Sequence, residues 1–84
     1  MAAIEIYSRG TCPYCVAAKR LLADKGQSWT EVDIAALPER RREMIERSGR
    51  TTVPQIWIDD RHVGGFDDLA ALDGAGELDS LLGT

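Results

Sequence analysis

Ile4-Glu5-Ile6-Tyr7 alternates apolar and polar side chains with the period of two that a half-buried strand requires, and Ser8-Arg9-Gly10-Thr11 behind it supplies turn chemistry. Pro13 suits a first helical position, where its missing N–H is not needed. Cys15, Ala18, Leu21 and Leu22 then recur at three- and four-residue spacing, and Gly26 ends the run. Trp29 to Ile34 is β-prone and alternating, which predicts a second strand. A strand-helix-strand unit crosses over right-handedly, so the two strands should be parallel. Leu37 to Ser48 reads as a second helix with Pro38 near its start, Gly49 past its end, and Leu37, Met44 and Ile45 on one face. Gln55 to Ile58, Asp59-Asp60-Arg61 and His62-Val63-Gly64 read as strand, turn and short strand. Asp67 to about Leu72 predicts a third helix, and Glu77 to Leu82 a short last one. The order βαβ, helix, ββ, helix predicts an α/β fold with a mixed sheet and helices on its faces. Trp29 and Trp57, inside predicted strands, are read as packing residues.

Composition narrows the classes of function. Eighty-four residues, 44% hydrophobic and 29% charged, make one small globular domain expected to span 1–84. Such a chain hides only about 60 to 65% of its unfolded surface, so small ligands met near the surface fit better than a large buried cofactor. Fourteen acidic against ten basic side chains give a formal charge of −4, which works against nucleic acid as a partner. The charge run of the second helix, with Glu43 four residues before Arg47, is read as a solvated, paired face. The N-terminus shows no basic region, apolar run or cleavage site, and no stretch approaches the ~18 apolar residues of a membrane helix. The expected setting is therefore the cytoplasm, with no membrane partner. There, two cysteines are not a disulfide framework, and their spacing needs its own explanation.

Cys12-Pro13-Tyr14-Cys15 falls where the first predicted strand hands over to the first helix. Residues three apart on a helix face one side at a Cα separation of ~5 Å, so the pair could close into a disulfide and reopen with little backbone motion. Cys12 at the N-cap would receive unpaired backbone N–H groups and the positive end of the helix, which favour thiolate. Helix N-termini and C-x-x-C motifs lower a cysteine from a pKa of ~8.5 to about 3.5 to 7.5. Cys12 is therefore the expected nucleophile and Cys15, one turn inside, the resolving thiol. Structural zinc would need four ligands, whereas the chain offers two cysteines and one distant histidine, His62, so no metal is expected. His62 is assigned no role.

Three blocks, taken together and in order, give the chain a resemblance: Cys12-Pro13-Tyr14-Cys15, Thr51-Thr52-Val53-Pro54-Gln55-Ile56 and Gly64-Gly65-Phe66-Asp67-Asp68-Leu69. The sequence resembles a glutaredoxin of the bacterial dithiol type along essentially its full length. The resemblance implies a thioredoxin-like fold with a four-stranded mixed sheet. It also implies a glutathione-dependent disulfide oxidoreductase that acts on protein–glutathione mixed disulfides and protein disulfides, with glutathione as co-substrate.

The resemblance further implies site residues. Val53, with Thr52 beside it, would pair its backbone with the cysteinyl part of glutathione as an added strand does, and Pro54 would follow a cis bond. Gly65, Phe66, Asp67 and Asp68 would hold the γ-glutamyl end, backbone N–H groups taking its carboxylate and the Asp67 side chain its ammonium. Asp67 equally suits the N-cap of the helix it opens. Arg9 stands where similar proteins commonly have lysine; it would bind the glycyl carboxylate and favour the Cys12 thiolate, or be a solvated loop cation. Tyr14 would lean on the bound tripeptide or pack. Phe66 stands where related proteins often have a small residue or cysteine, and would act through its backbone. A monomer is expected. Alternative readings are an iron-sulfur cluster carrier, which Pro13-Tyr14-Cys15 argues against, and a glutaredoxin-like protein recharged by thioredoxin reductase.

Overall fold

The computed structural model describes residues 2–83; Met1 and Thr84, the ends of the expected 1–84 domain, lie outside them. The elements are β1 (Ile4–Ser8), α1 (Pro13–Asp24), β2 (Thr30–Asp33), α2 (Pro38–Ser48), β3 (Gln55–Ile58), β4 (Arg61–Gly64), α3 (Phe66–Gly74) and α4 (Leu78–Leu82). They build a four-stranded sheet in the order β2-β1-β3-β4. β1 and β2 are parallel, as the crossover rule requires, while β3 runs antiparallel to β1 and β4 antiparallel to β3.

Alternation along the two central strands divides the interior into two cores. Ile4 and Ile6 of β1 and Ile56 and Ile58 of β3 join Ala18 and Leu22 of α1, Leu69 of α3, and Leu78 and Leu82 of α4. Tyr7 and Trp57, from the intervening positions, face the other way with Val32, Ile34 and the α2 residue Met44. All four β3 positions are buried, as expected of a strand covered on both faces.

Helix ends follow local chemistry. Cys12 has extended backbone angles and caps α1, with Pro13 at the first helical position. α2 ends at Gly49 in the left-handed region, φ 72°, where the Gly49 N–H donates to Ile45 O at 2.8 Å.

Several local expectations need correction. Leu37 does not share the buried face of Met44 and Ile45: it is the residue before Pro38, has a non-helical backbone, and stands 42% exposed. Pro38 fixes the helical start one residue later than expected, which rotates Leu37 out of the helix pattern. β2 is shorter than the alternation suggested, with Trp29 just before it, and Arg61 belongs to β4 rather than to the turn. α3 begins at Phe66 with Gly65 as its N-cap, so Asp67 is not the cap.

Candidate active site

The C-terminal end of β1 and the start of α1 place the cysteine pair at one end of the sheet, opposite the segment that enters β3. Cys12 is partly exposed and Cys15 is fully buried, both as free thiols. Cys12 Sγ accepts the Cys15 backbone N–H at 3.3 Å, a side-chain N-cap made by sulfur. The same sulfur lies 3.7 Å from the Val53 carbonyl oxygen. The sequence-distant loop before β3 is thus brought against the reactive atom, and Val53 is followed by a cis peptide bond to Pro54.

The two thiols are driven apart in acidity. Burial would raise Cys12, but hydrogen bonds from the Cys15 thiol and from the Cys15 and Tyr14 backbone, with the charge of Arg9, outweigh it and hold Cys12 below the ordinary cysteine value. For Cys15, burial comes first, then its hydrogen bond to Cys12, and it is pushed up to about 12. The arrangement thus favours the thiolate at Cys12 and keeps the proton on Cys15.

Beside Val53 lies a groove of about 350 Å³ lined by Tyr14, Arg50, Thr52, Val53, Pro54, Gly65, Asp67 and Asp68. Seven of these were singled out from sequence. Tyr14 is 60% exposed, its ring tilted toward Phe66 with centroids 6.4 Å apart. Phe66 itself is partly buried against the larger core and is not among the groove-lining residues. Arg9 also stays outside the groove; its carbonyl accepts the Cys12 N–H at 3.2 Å and its charge favours the Cys12 thiolate.

Arg50 is the lining residue that sequence reasoning passed over. Its Nη1 donates to Asp68 Oδ2 at 2.9 Å, and that oxygen also accepts the Gly65 N–H at 2.9 Å. Asp68, at the third position of α3, therefore reaches back to cap the N-cap residue; glycine has no side chain to return the bond. Arg50, then the Gly65 N–H, hold the Asp68 carboxyl below the usual carboxylate range. The signal for Arg50 was its place between a C-cap glycine and the Thr-Thr-Val-Pro run, where the chain must turn toward the site.

Gly64 makes this arrangement sterically possible. At φ 117° it adopts a backbone that favours glycine, and a Cβ there would run into the Asp68 carboxylate and lie 2.9 Å from Arg50 Nη1. Asp67, in contrast, is exposed in the first turn of α3. The first-turn N–H groups of α3 have no intrahelical acceptors. One end of the groove thus brings together in space a carboxylate, a guanidinium and backbone donors. Among the described residues, no helix is long and apolar enough to cross a membrane.

The chain is similar to known proteins over most of its length. A family model described as Glutaredoxin matches residues 4–63. The chain is 60% identical over 82 residues to Glutaredoxin 3 of Escherichia coli (strain K12), covering 98% of this chain and 99% of that protein. It is 51% identical over 82 residues to a Pseudomonas aeruginosa glutaredoxin, covering 98% of each. The solution structure of a glutaredoxin from Brucella melitensis superposes with a TM-score of 0.85 at 58% identity, over 98% of this chain and 89% of that one.

Proposed function

Since the chain belongs to the glutaredoxin family, whose members are thiol–disulfide oxidoreductases, we propose that it draws its electrons from glutathione and reduces protein–glutathione mixed disulfides and protein disulfides. The observation that carries this reading is the 3.7 Å approach of Cys12 Sγ to the Val53 carbonyl at the side of the groove. It sets the nucleophile beside a peptide backbone edge that an extended thiol peptide would pair with.

The tripeptide has a thiol at its centre, a carboxylate at one end, and a carboxylate with an ammonium at the other. Its cysteinyl backbone pairs with Val53, and Thr52 and Pro54 shape the wall. The γ-glutamyl carboxylate takes the first-turn backbone donors of Phe66, Asp67 and Asp68, beside Gly65, whose own N–H is held by Asp68, and the ammonium takes the Asp67 side chain. Arg50 is added here as a second cation at that end. Tyr14 covers the peptide, while Arg9 faces the thiolate and the glycyl carboxylate.

In the first step the Cys12 thiolate attacks the glutathionyl sulfur of the mixed disulfide. A sulfur–sulfur bond to Cys12 forms, the bond to the substrate breaks, and the substrate sulfur leaves as a thiolate that takes a proton from water. A second glutathione thiolate then attacks the glutathionyl sulfur. Glutathione disulfide leaves and the Cys12 thiolate returns, a route that leaves Cys15 untouched. For a protein disulfide, Cys12 forms a mixed disulfide with one substrate sulfur as the substrate disulfide breaks, and the other substrate sulfur leaves as a thiolate that takes a proton from water. Cys15 gives up its proton and displaces that sulfur, and the resulting Cys12–Cys15 bridge is reduced by two glutathione molecules.

The chain is read as working in this way as a single-domain monomer over 1–84, in a reducing cytoplasm, without a resident metal. The test is turnover of a glutathionylated peptide with glutathione and glutathione reductase as the only electron supply. Turnover is expected. Failure there, with turnover on thioredoxin reductase, would transfer the protein to the thioredoxin-reductase reading. A stable visible chromophore after anaerobic purification would favour the cluster-carrier reading.

A further inference from the structure

Gln55 is a polar side chain with no exposed surface, at the first position of the strand that follows Pro54. Its Nε2 donates to the Thr52 carbonyl at 3.1 Å and to Thr52 Oγ1 at 3.3 Å. Its Oε1 is paired with His62 Nε2 at 2.8 Å. The amide therefore ties Thr52, at the start of the Thr52-Val53-Pro54 segment, back to the residue that follows Pro54, and is held from β4 on its other side.

The orientation of this amide follows from its partners. The Thr52 carbonyl is only an acceptor, so the NH2 group must face it and the carbonyl oxygen must face His62. His62 Nε2 then carries the proton, which fixes the Nε2–H form of the neutral ring. The ring in turn lies against Trp57, its cross-strand partner, with centroids 4.7 Å apart and planes tilted by 36°, and Arg47 caps the same indole at 4.2 Å. Among the described residues, no buried side-chain nitrogen or oxygen lacks a hydrogen-bond partner. Removing one member of such a chain would strand a buried amide.

We propose that Gln55, braced by the His62 Nε2–H, is a positioning residue that holds the Thr52–Val53 backbone in the orientation that a glutathione cysteinyl unit pairs with. His62, assigned no role on sequence grounds, becomes the second member of that brace. The proposal rests on the glutathione reading above, yet its geometric core concerns this chain alone.

The test has two independent readouts. Long-range 1H–15N correlation of the folded full chain at pH 8 should show His62 in the Nε2–H form with a slowly exchanging ring proton. That protection should be lost in Gln55→Leu. An Nδ1–H form, or a ring proton indifferent to Gln55→Leu, overturns the proposal whether or not the protein uses glutathione. In steady-state assays, Gln55→Leu and His62→Phe should raise KM for a glutathionylated peptide about tenfold while the alkylation rate of Cys12 stays within twofold. His62→Gln, which restores an amide donor, should recover most of the loss. A KM unchanged in His62→Phe also overturns the proposal, and that variant, at a half-buried site and with the ring contact to Trp57 kept, serves if Gln55→Leu does not fold. Absence of glutathione turnover in the parent protein would reject the glutathione reading and leave the histidine spectrum to decide the brace.

Discussion

The guanidinium of Arg47 lies 4.2 Å from the centre of the Trp57 ring and joins a helix that has little else to bury to the face of the sheet. α2 contributes one fully buried residue, Met44, to the smaller core, with Ile45 packed beside it. Arg47 also donates to the Tyr7 hydroxyl at 2.8 Å and to Glu5 at 3.2 Å, and the Tyr7 hydroxyl donates to Glu43. Docking of α2 therefore depends on a cation over an aromatic ring and a bridged phenol as much as on apolar area. Because α2 leads through Gly49 directly into Arg50 and the Val53 loop, the same contacts set one wall of the groove.

Replacing Arg47 by alanine should lower stability by about 0.5 to 2 kcal/mol, the range for a partly desolvated cation–π contact. Urea unfolding would measure it. Arg47→Lys should recover only part of the loss, since an ammonium cannot lie flat on the indole while donating to both Tyr7 and Glu5. Equal stability of the lysine variant and the parent would show that charge alone holds the helix.

The two sheet-and-helix halves were legible in the sequence because their signals are local: alternation in Ile4 to Tyr7, the three- and four-residue spacing after Pro13, and the proline and glycine that bracket α2. The cysteine pair was legible for the same reason, since its spacing and its place at a strand-to-helix turn already define the geometry. What stayed hidden depends on contacts across the fold. Arg50 looks like a solvated loop cation until Asp68, eighteen residues later, is brought to it. His62 looks like a plain edge residue until the Gln55 amide turns its oxygen toward it. Leu37 failed for a local reason, because a residue just before a proline leaves the helical pattern that its apolar side chain suggests.

Gly64 should not tolerate a side chain. Its φ of 117° lies outside the region open to L-residues, and a Cβ would meet the Asp68 carboxylate. Gly64→Ala is expected to cost about 1 to 3 kcal/mol and to break the Arg50–Asp68 pair, because the carboxylate must move. Loss of the pair has a pH signature. Asp68 is held below its ordinary value, so its contribution to stability is present above the unfolded pKa and is lost as pH falls through the lower folded one. Both ends of the pair are nearly half exposed, so that acid-side contribution is small. In Gly64→Ala it should vanish from the pH dependence of unfolding.

Alkylation of Cys12 against pH should give a midpoint below the ~8.5 of free cysteine. Burial works against the shift, and the hydrogen bonds of Cys15 and Tyr14 overcome it, with Arg9 adding the weakest of the named contributions. Cys15→Ala should therefore move the midpoint upward by more than Arg9→Ala does. The reverse order would mean that field strength, not donated hydrogen bonds, holds the thiolate. The sign for folding follows: Cys12 adds stability above its unfolded pKa and loses it as pH falls through the lower folded value. Cys15, pushed up to about 12, adds stability below its unfolded pKa and loses it as the solution is made strongly alkaline.

The unequal burial of the two thiols separates their roles in turnover. Only Cys12 is reachable from outside, so Cys12→Ser should abolish reduction of both glutathionylated peptides and protein disulfides. Cys15 is buried and protonated, and the sulfur it is placed to attack is that of Cys12 once Cys12 is joined to a substrate sulfur, which then leaves. Cys15→Ser should then keep reduction of a glutathionylated peptide, where a second glutathione completes the cycle, and lose most reduction of a protein disulfide, where an internal thiol must release the substrate. Running both substrates on the same preparation makes the comparison independent of folding yield. If Cys15→Ser lost the two activities in equal measure, the buried thiol would be acting on Cys12 reactivity rather than resolving a mixed disulfide, and the alkylation profile of that variant would show the difference directly.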